Sequence, residues 1–112
     1  MKDGYIKVAA ATPHIKVADC TYNREQILKE IEQAAGQQVR LLVLPELCLT
    51  GYTCGDLFLQ ETLLQGAGEG LRWLLEKTKH LPMMIVVGLP LSIDCKLYNV
   101  AAFLYRGELL GL

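Results

Sequence analysis

The segment 41-LLVLPELCLTGYTCGDLF-58 decides how this chain is read. Leu41 to Leu44 is an unbroken aliphatic run, too continuous for a half-exposed strand, and such strands suit sheets covered on both faces. Pro45 ends the run, and a carboxylate, Glu46, follows at once before apolar residues resume. A buried strand of this kind belongs to an α/β architecture, where ligands gather beyond the carboxyl ends of the strands. Glu46 falls at that position. Burying an ionised carboxylate without a partner costs several kcal/mol, so the placement needs a reason. One reason is catalytic: an apolar pocket raises a carboxyl's pKa and poises it as a general base or acid. The other is that Glu46 turns out to solvent or caps a nearby backbone amide.

The flanking sequence supplies the remaining elements. Tyr5 to Ala11 (YIKVAAA) reads as a first strand, stopped by Thr12-Pro13. Asp19, Thr21 and Asn23 are each able to cap a following helix. From Arg24 to Ala35, Ile27, Leu28, Ile31, Ala34 and Ala35 recur at helical spacing, and Gly36 is a natural stop. Arg40 to Leu44 is the second strand. Leu64, Ala67, Leu71, Leu74 and Leu75 mark a second helix running to about Lys79. Gly66, Gly68 and Gly70 weaken its first half by roughly 1 kcal/mol each relative to alanine, which predicts a short or irregular start. Pro82 precedes MMIVVGLP, a third buried strand. Leu97 to Tyr105 and Glu108 to Leu112 flank Arg106-Gly107 as a two-residue hairpin. The order is β-α-β-α-β plus a β-hairpin. Leu112 sits in an apolar run without a stop signal, which leads us to expect that the chain is cut before the fold is complete.

A length of 112 residues is enough for one domain and too short for two. With 11 Lys and Arg against 12 Asp and Glu, the net charge of −1 gives no electrostatic case for nucleic acid or an anionic membrane surface. The longest apolar runs, such as Met83 to Val87, fall far short of the ~20 residues a membrane helix needs. The N-terminal stretch has no long apolar core of a secretory signal. Cys20, Cys48, Cys54 and Cys95 form no CxxC and have no histidine at ligand spacing, so no metal site is expected. Reduced thiols in a cytoplasmic protein are the expectation.

"LPELCLTGY" resembles the glutamate motif of the nitrilase, or carbon–nitrogen hydrolase, superfamily, whose members use a Glu-Lys-Cys triad. More narrowly, "LTGYTCGDLF" and the opening "GYIKVAAATPHIKVADCTYN" are similar to the N-terminal amidase domain of the glutamine-dependent NAD synthetases. The resemblance runs on through "LYNVAAFLYRGELLGL". It implies a partial α-β-β-α sandwich, with residues 1–112 as the N-terminal part of a glutamine amidase domain. The rest of that domain and the synthetase domain would lie outside the chain. In the family the amidase hydrolyses glutamine and passes ammonia to the synthetase, which amidates deamido-NAD using ATP and magnesium. No cofactor is expected on this chain itself, and the full-length enzyme is expected to be a homo-oligomer.

Carried over residue by residue, Glu46 matches the general base that takes the proton from the cysteine thiol. Tyr52 matches a tyrosine near the glutamine pocket, where its phenol would position the substrate amide; packing of the loop is the competing role. Asp56 opens the next helical segment and is read as a structural cap. Gly51 permits the tight turn that aims Tyr52. The departure from the family is the triad itself. Its lysine normally follows the hairpin at the end of this chain, and its cysteine lies further on. Lys77 and Lys79 do not match. Cys48 is two residues from Glu46 but has no lysine or oxyanion donors assigned to it, Cys54 and Cys95 have the same deficit, and since free cysteines are usually buried hydrophobes none of the four is read as a nucleophile. His14 and His80 are read as surface or capping residues. Two alternatives stay open: a piece of another nitrilase-type amidase acting on a small linear amide, and a non-catalytic α/β module.

Overall fold

The computed structural model describes residues 4–112. Strand β1 (Val8–Ala10) leads to helix α1 (Cys20–Gly36), strand β2 (Leu41–Val43), a short 3-10 helix (Gly55–Leu59) and helix α2 (Glu61–Lys77). Strands β3 (Met84–Ile93), β4 (Lys96–Tyr105) and β5 (Glu108–Gly111) complete one five-stranded sheet in the order β1-β2-β3-β4-β5. The first three strands are parallel, and β3, β4 and β5 form an antiparallel meander. The fold is the mixed α/β expected from the sequence.

Strand order follows chain order, so both parallel crossovers, β1 to β2 and β2 to β3, step the same way across the sheet. With right-handed crossovers, both helices must then fall on the same face. There Ile27, Ile31, Ala67 and Leu74 meet Leu42, Ile85 and Leu104 in one core. The opposite face is bare. Val43 is 42 % exposed, and Val8, Phe103 and Tyr105 are exposed beside it. This corrects the expectation of a second strand buried on both faces: the aliphatic run is continuous, but only Leu42 and Leu44 of it enter the core.

Three local readings change as well. Helix α1 begins four residues earlier than Arg24, because Asp19 caps it by accepting the Tyr22 N–H at 3.0 Å. Asn23 is not a cap. It is fully buried, accepts the Lys16 N–H (2.7 Å) and donates to the carbonyls of Lys16 (2.8 Å) and Leu49 (3.0 Å). Helix α2 is regular from Glu61 despite its glycines. A Cβ on Gly66 would lie 3.3 Å from the Cys20 sulfur, and one on Gly70 would lie 3.0 Å from Leu49 Cδ2. The glycines weaken the isolated helix but let it close on α1 and on the segment after β2, and packing outweighs propensity.

The Arg106-Gly107 hairpin is present with both residues at positive φ, 49° and 83°, the twist that two-residue hairpins favour. A second hairpin joins β3 to β4 through Asp94 (φ 50°) and Cys95 (φ 63°). Without glycine that turn left no strong sequence signal. Strand β1 is shorter than Tyr5–Ala11, and β5 ends at Gly111.

Candidate active site

The chain leaving β2 does not stay over its own strand. Leu44 N–H donates to the Val86 carbonyl (3.0 Å) and Leu49 N–H to the Gly88 carbonyl (3.2 Å), which pins residues 44–49 across β3. The backbone of 45–47 rests directly on Gly88. A Cβ there would overlap the Leu47 amide nitrogen and sit 2.8 Å from the Pro45 carbonyl oxygen. Leu47 turns the chain with φ at 52°, a left-handed conformation that costs a non-glycine residue about 1–2 kcal/mol. Its carbonyl then accepts from Thr50 N–H (3.1 Å) and Gly51 N–H (2.7 Å). Such strain persists where the surroundings over-determine it, and here both sides of the turn are anchored.

Glu46 is carried over β3 on this turn and reaches β4, two strands from its own, where Asn99 Nδ2 donates to Glu46 Oε1 at 2.7 Å. The carboxylate is exposed. The sequence left open an apolar pocket and a side chain turned to solvent; among the described residues the second holds, with Glu46 on the bare face of the sheet and none of them burying it.

Glu46 and Tyr52 line one cleft of about 280 Å³ at the carboxyl end of β2, walled on the other side by Ile15 and Val17. The two candidate site residues are thus brought together. Tyr52 is 76 % exposed, so it does not serve to pack the loop. Gly51 has φ 86°, and a Cβ would meet Ile15 and Val17 across the cleft at 3.5–3.6 Å, so the turn that aims Tyr52 is held against the far wall. That wall is tied down by Ala18 N–H donating to the Thr50 carbonyl (2.8 Å) and by Asn23. Sequence reasoning missed Asn23 in this bridging role; its only signal was a polar residue one turn inside an apolar helix. Asp56 sits in the first turn of the 3-10 helix and makes no side-chain capping bond, so the expected cap is not formed.

The thiols divide in two. Cys20, Cys48 and Cys54 are buried, as free cysteines usually are, and Cys95 is exposed at the β3–β4 turn. Burial pushes the Cys48 thiol up to about 11, only partly opposed by the backbone of Gly88 and of Cys48 itself; the thiol donates to the Gly88 carbonyl (3.7 Å). Burial also pushes Cys20 up to about 11, with Cys54 and Asp19 adding to the effect. A thiol that high is protonated at neutral pH and is a poor nucleophile. Proximity to Glu46 therefore does not make Cys48 a catalytic cysteine. Lys77 ends α2 and Lys79 lies in the turn that follows it, and His14 and His80 are exposed. Among the described residues no three His, Cys, Asp or Glu side chains come together.

The chain matches the carbon–nitrogen hydrolase family model over residues 7–111 and belongs to that family. It is 33% identical over 109 residues to the glutamine-dependent NAD(+) synthetase of Mycobacterium leprae, a match spanning 97% of this chain and 16% of that protein. The relative from Aquifex aeolicus is 32% identical over 107 residues, again with only 18% of its length matched. The chain thus spans less than a fifth of these curated relatives. Among solved structures, the glutamine-dependent NAD(+) synthetase of Cytophaga hutchinsonii superposes with a TM-score of 0.89 at 32% identity, over 95% of this chain and 18% of that one. An amidase from Nesterenkonia shares the fold with a TM-score of 0.78 at 20% identity, covering 99% of this chain and 43% of its own.

Two outcomes follow from this geometry. Gly88→Ala is expected to destabilise the protein by about 1–3 kcal/mol, since backbone on both sides of the new methyl must shift; chemical denaturation would read the loss, and an unchanged midpoint would refute the close approach. A thiol reagent at neutral pH is expected to label Cys95 rapidly and the other three cysteines only after unfolding, as peptide mass mapping would show.

Proposed function

We propose that this chain of the carbon–nitrogen hydrolase family is the N-terminal part of a glutamine amidase domain in a glutamine-dependent NAD synthetase. Glu46 is its general base, and Tyr52 helps to orient the substrate amide. The observation that carries the reading is the cleft at the end of β2, in which the motif glutamate and the motif tyrosine face the same space. The similarity along nearly the whole chain to NAD synthetases, rather than to amidases alone, supports this choice of substrate.

In this reading, the thiol and the cation come from chain beyond Leu112. Glu46 accepts the thiol proton, and the thiolate attacks the side-chain amide carbon of glutamine. Collapse of the adduct returns that proton from Glu46 to the departing nitrogen, releasing ammonia and leaving a thioester. Water, deprotonated by Glu46, then hydrolyses the thioester to glutamate and the free thiol. Ammonia passes to the synthetase domain, where ATP and magnesium support amidation of deamido-NAD. The bare sheet face is where the second sheet of the sandwich packs, and that packing excludes water from Glu46. A homo-oligomeric, cytoplasmic enzyme completes the proposal; no helix among the described residues is long and apolar enough to cross a membrane.

In the full-length protein, Glu46→Gln is expected to abolish glutamine-dependent NAD synthesis while ammonia-dependent synthesis stays within about twofold of wild type; equal loss of both would make Glu46 structural. The 112-residue chain alone is expected to release no ammonia from glutamine above background. Turnover by that chain, abolished by Cys48→Ala, would overturn the assignment.

A further inference from the structure

We infer that Asn99 is the positioning residue for Glu46: its side-chain amide clamps one carboxylate oxygen and so fixes the direction in which the other is presented to the cleft. The inference rests on Glu46 being the base, as proposed above, and adds to that proposal the group that holds it.

Four observations meet at this contact. First, the partners are unambiguous in sense: a carboxylate only accepts, so the amide nitrogen must face it, and the 2.7 Å separation is that of a charge-assisted bond. Second, it is long-range, joining residues 53 apart in sequence, one on the turn after β2 and the other on β4, which is not a neighbour of β2. It exists only because 45–47 crosses over Gly88. Third, register puts Asn99 where it can receive the crossing chain. Gly88 pairs with Ala101 and Pro90 with Asn99. Residues two apart on a strand share a face, so Asn99 projects on the same side as the missing Cβ of Gly88. Fourth, asparagine is disfavoured in strands, yet it interrupts a β-prone run between Tyr98 and Val100. Asn99 is exposed, so the strand itself has no packing need for it. Among the described residues the Glu46 carboxylate has no other side-chain partner, which leaves Oε2 free to take a proton.

The test uses the full-length protein with Asn99→Ala and the near-isosteric Asn99→Asp. Loss of one hydrogen bond to a charged group corresponds to a fall in kcat for glutamine hydrolysis of about tenfold to a hundredfold, with KM little changed. Asn99→Asp keeps the shape of the side chain but presents an acceptor to an acceptor, so kcat falls at least as far as in Asn99→Ala. Ammonia-dependent synthesis reports that each variant is folded. Wild-type kcat for glutamine hydrolysis in both variants would overturn the inference while leaving the proposed function intact. A parallel fall in glutamine- and ammonia-dependent rates would make Asn99 structural, and would overturn it too. If the wild-type protein releases no ammonia from glutamine, the proposed function fails and this inference falls with it.

Discussion

Everything distinctive about the site depends on one close approach, the passage of residues 45–47 across β3 at Gly88. A strand tip normally releases its chain above its own strand. Here the tip is bonded to the carbonyls of Val86 and Gly88 and lies flat against the neighbouring strand. Glu46 therefore ends beside β4 instead of above β2. The left-handed Leu47 turn, the bond to Asn99 and the alignment of Tyr52 on the cleft all follow from that crossing. The requirement for glycine comes from a neighbour's backbone and not from the dihedral angles of Gly88 itself.

The sheet has two unequal faces because its strands follow chain order. Both helices pack on one face, and the crossing turn lies on the other. A carboxylate on the bare face stays hydrated, and a base in water has neither the raised basicity nor the short, fixed approach that thiol deprotonation demands. The chain aims Glu46 through its own contact with Asn99; under the proposed function, the low-dielectric surroundings come from whatever covers Val43, Val86 and Phe103. Orientation and desolvation, which the position of Glu46 after an aliphatic run had seemed to join, are separate contributions from separate parts of a protein.

The sequence was informative wherever a residue's role is local. The aliphatic runs gave β2 and β3, helical spacing gave α1 and α2, and Arg106-Gly107 gave its hairpin because glycine accepts positive φ at the second turn position. The LPELCLTGY motif placed the candidate base at the correct end of a strand. What could not be read depends on residues far apart in the chain. Glycines at 66 and 70 count as helix-weakening until the partner helix and Leu49 are seen against them. Asn23 resembles a cap until its bonds to Lys16 and Leu49 are known. Asn99 carries no signal by itself, since only the register of β3 with β4 puts it beside Glu46. The exposure of Glu46 is likewise a property of the whole sheet.

The β3–β4 turn has a practical side. It places Cys95, the one exposed thiol among the described residues, at the tip of the longest hairpin, away from the core that shields the other three. In an oxidising buffer, two copies can be joined there by a disulfide without disturbing either sheet. A covalent dimer formed in air would accordingly report the chemistry of one hairpin tip, and would carry no information about how subunits associate.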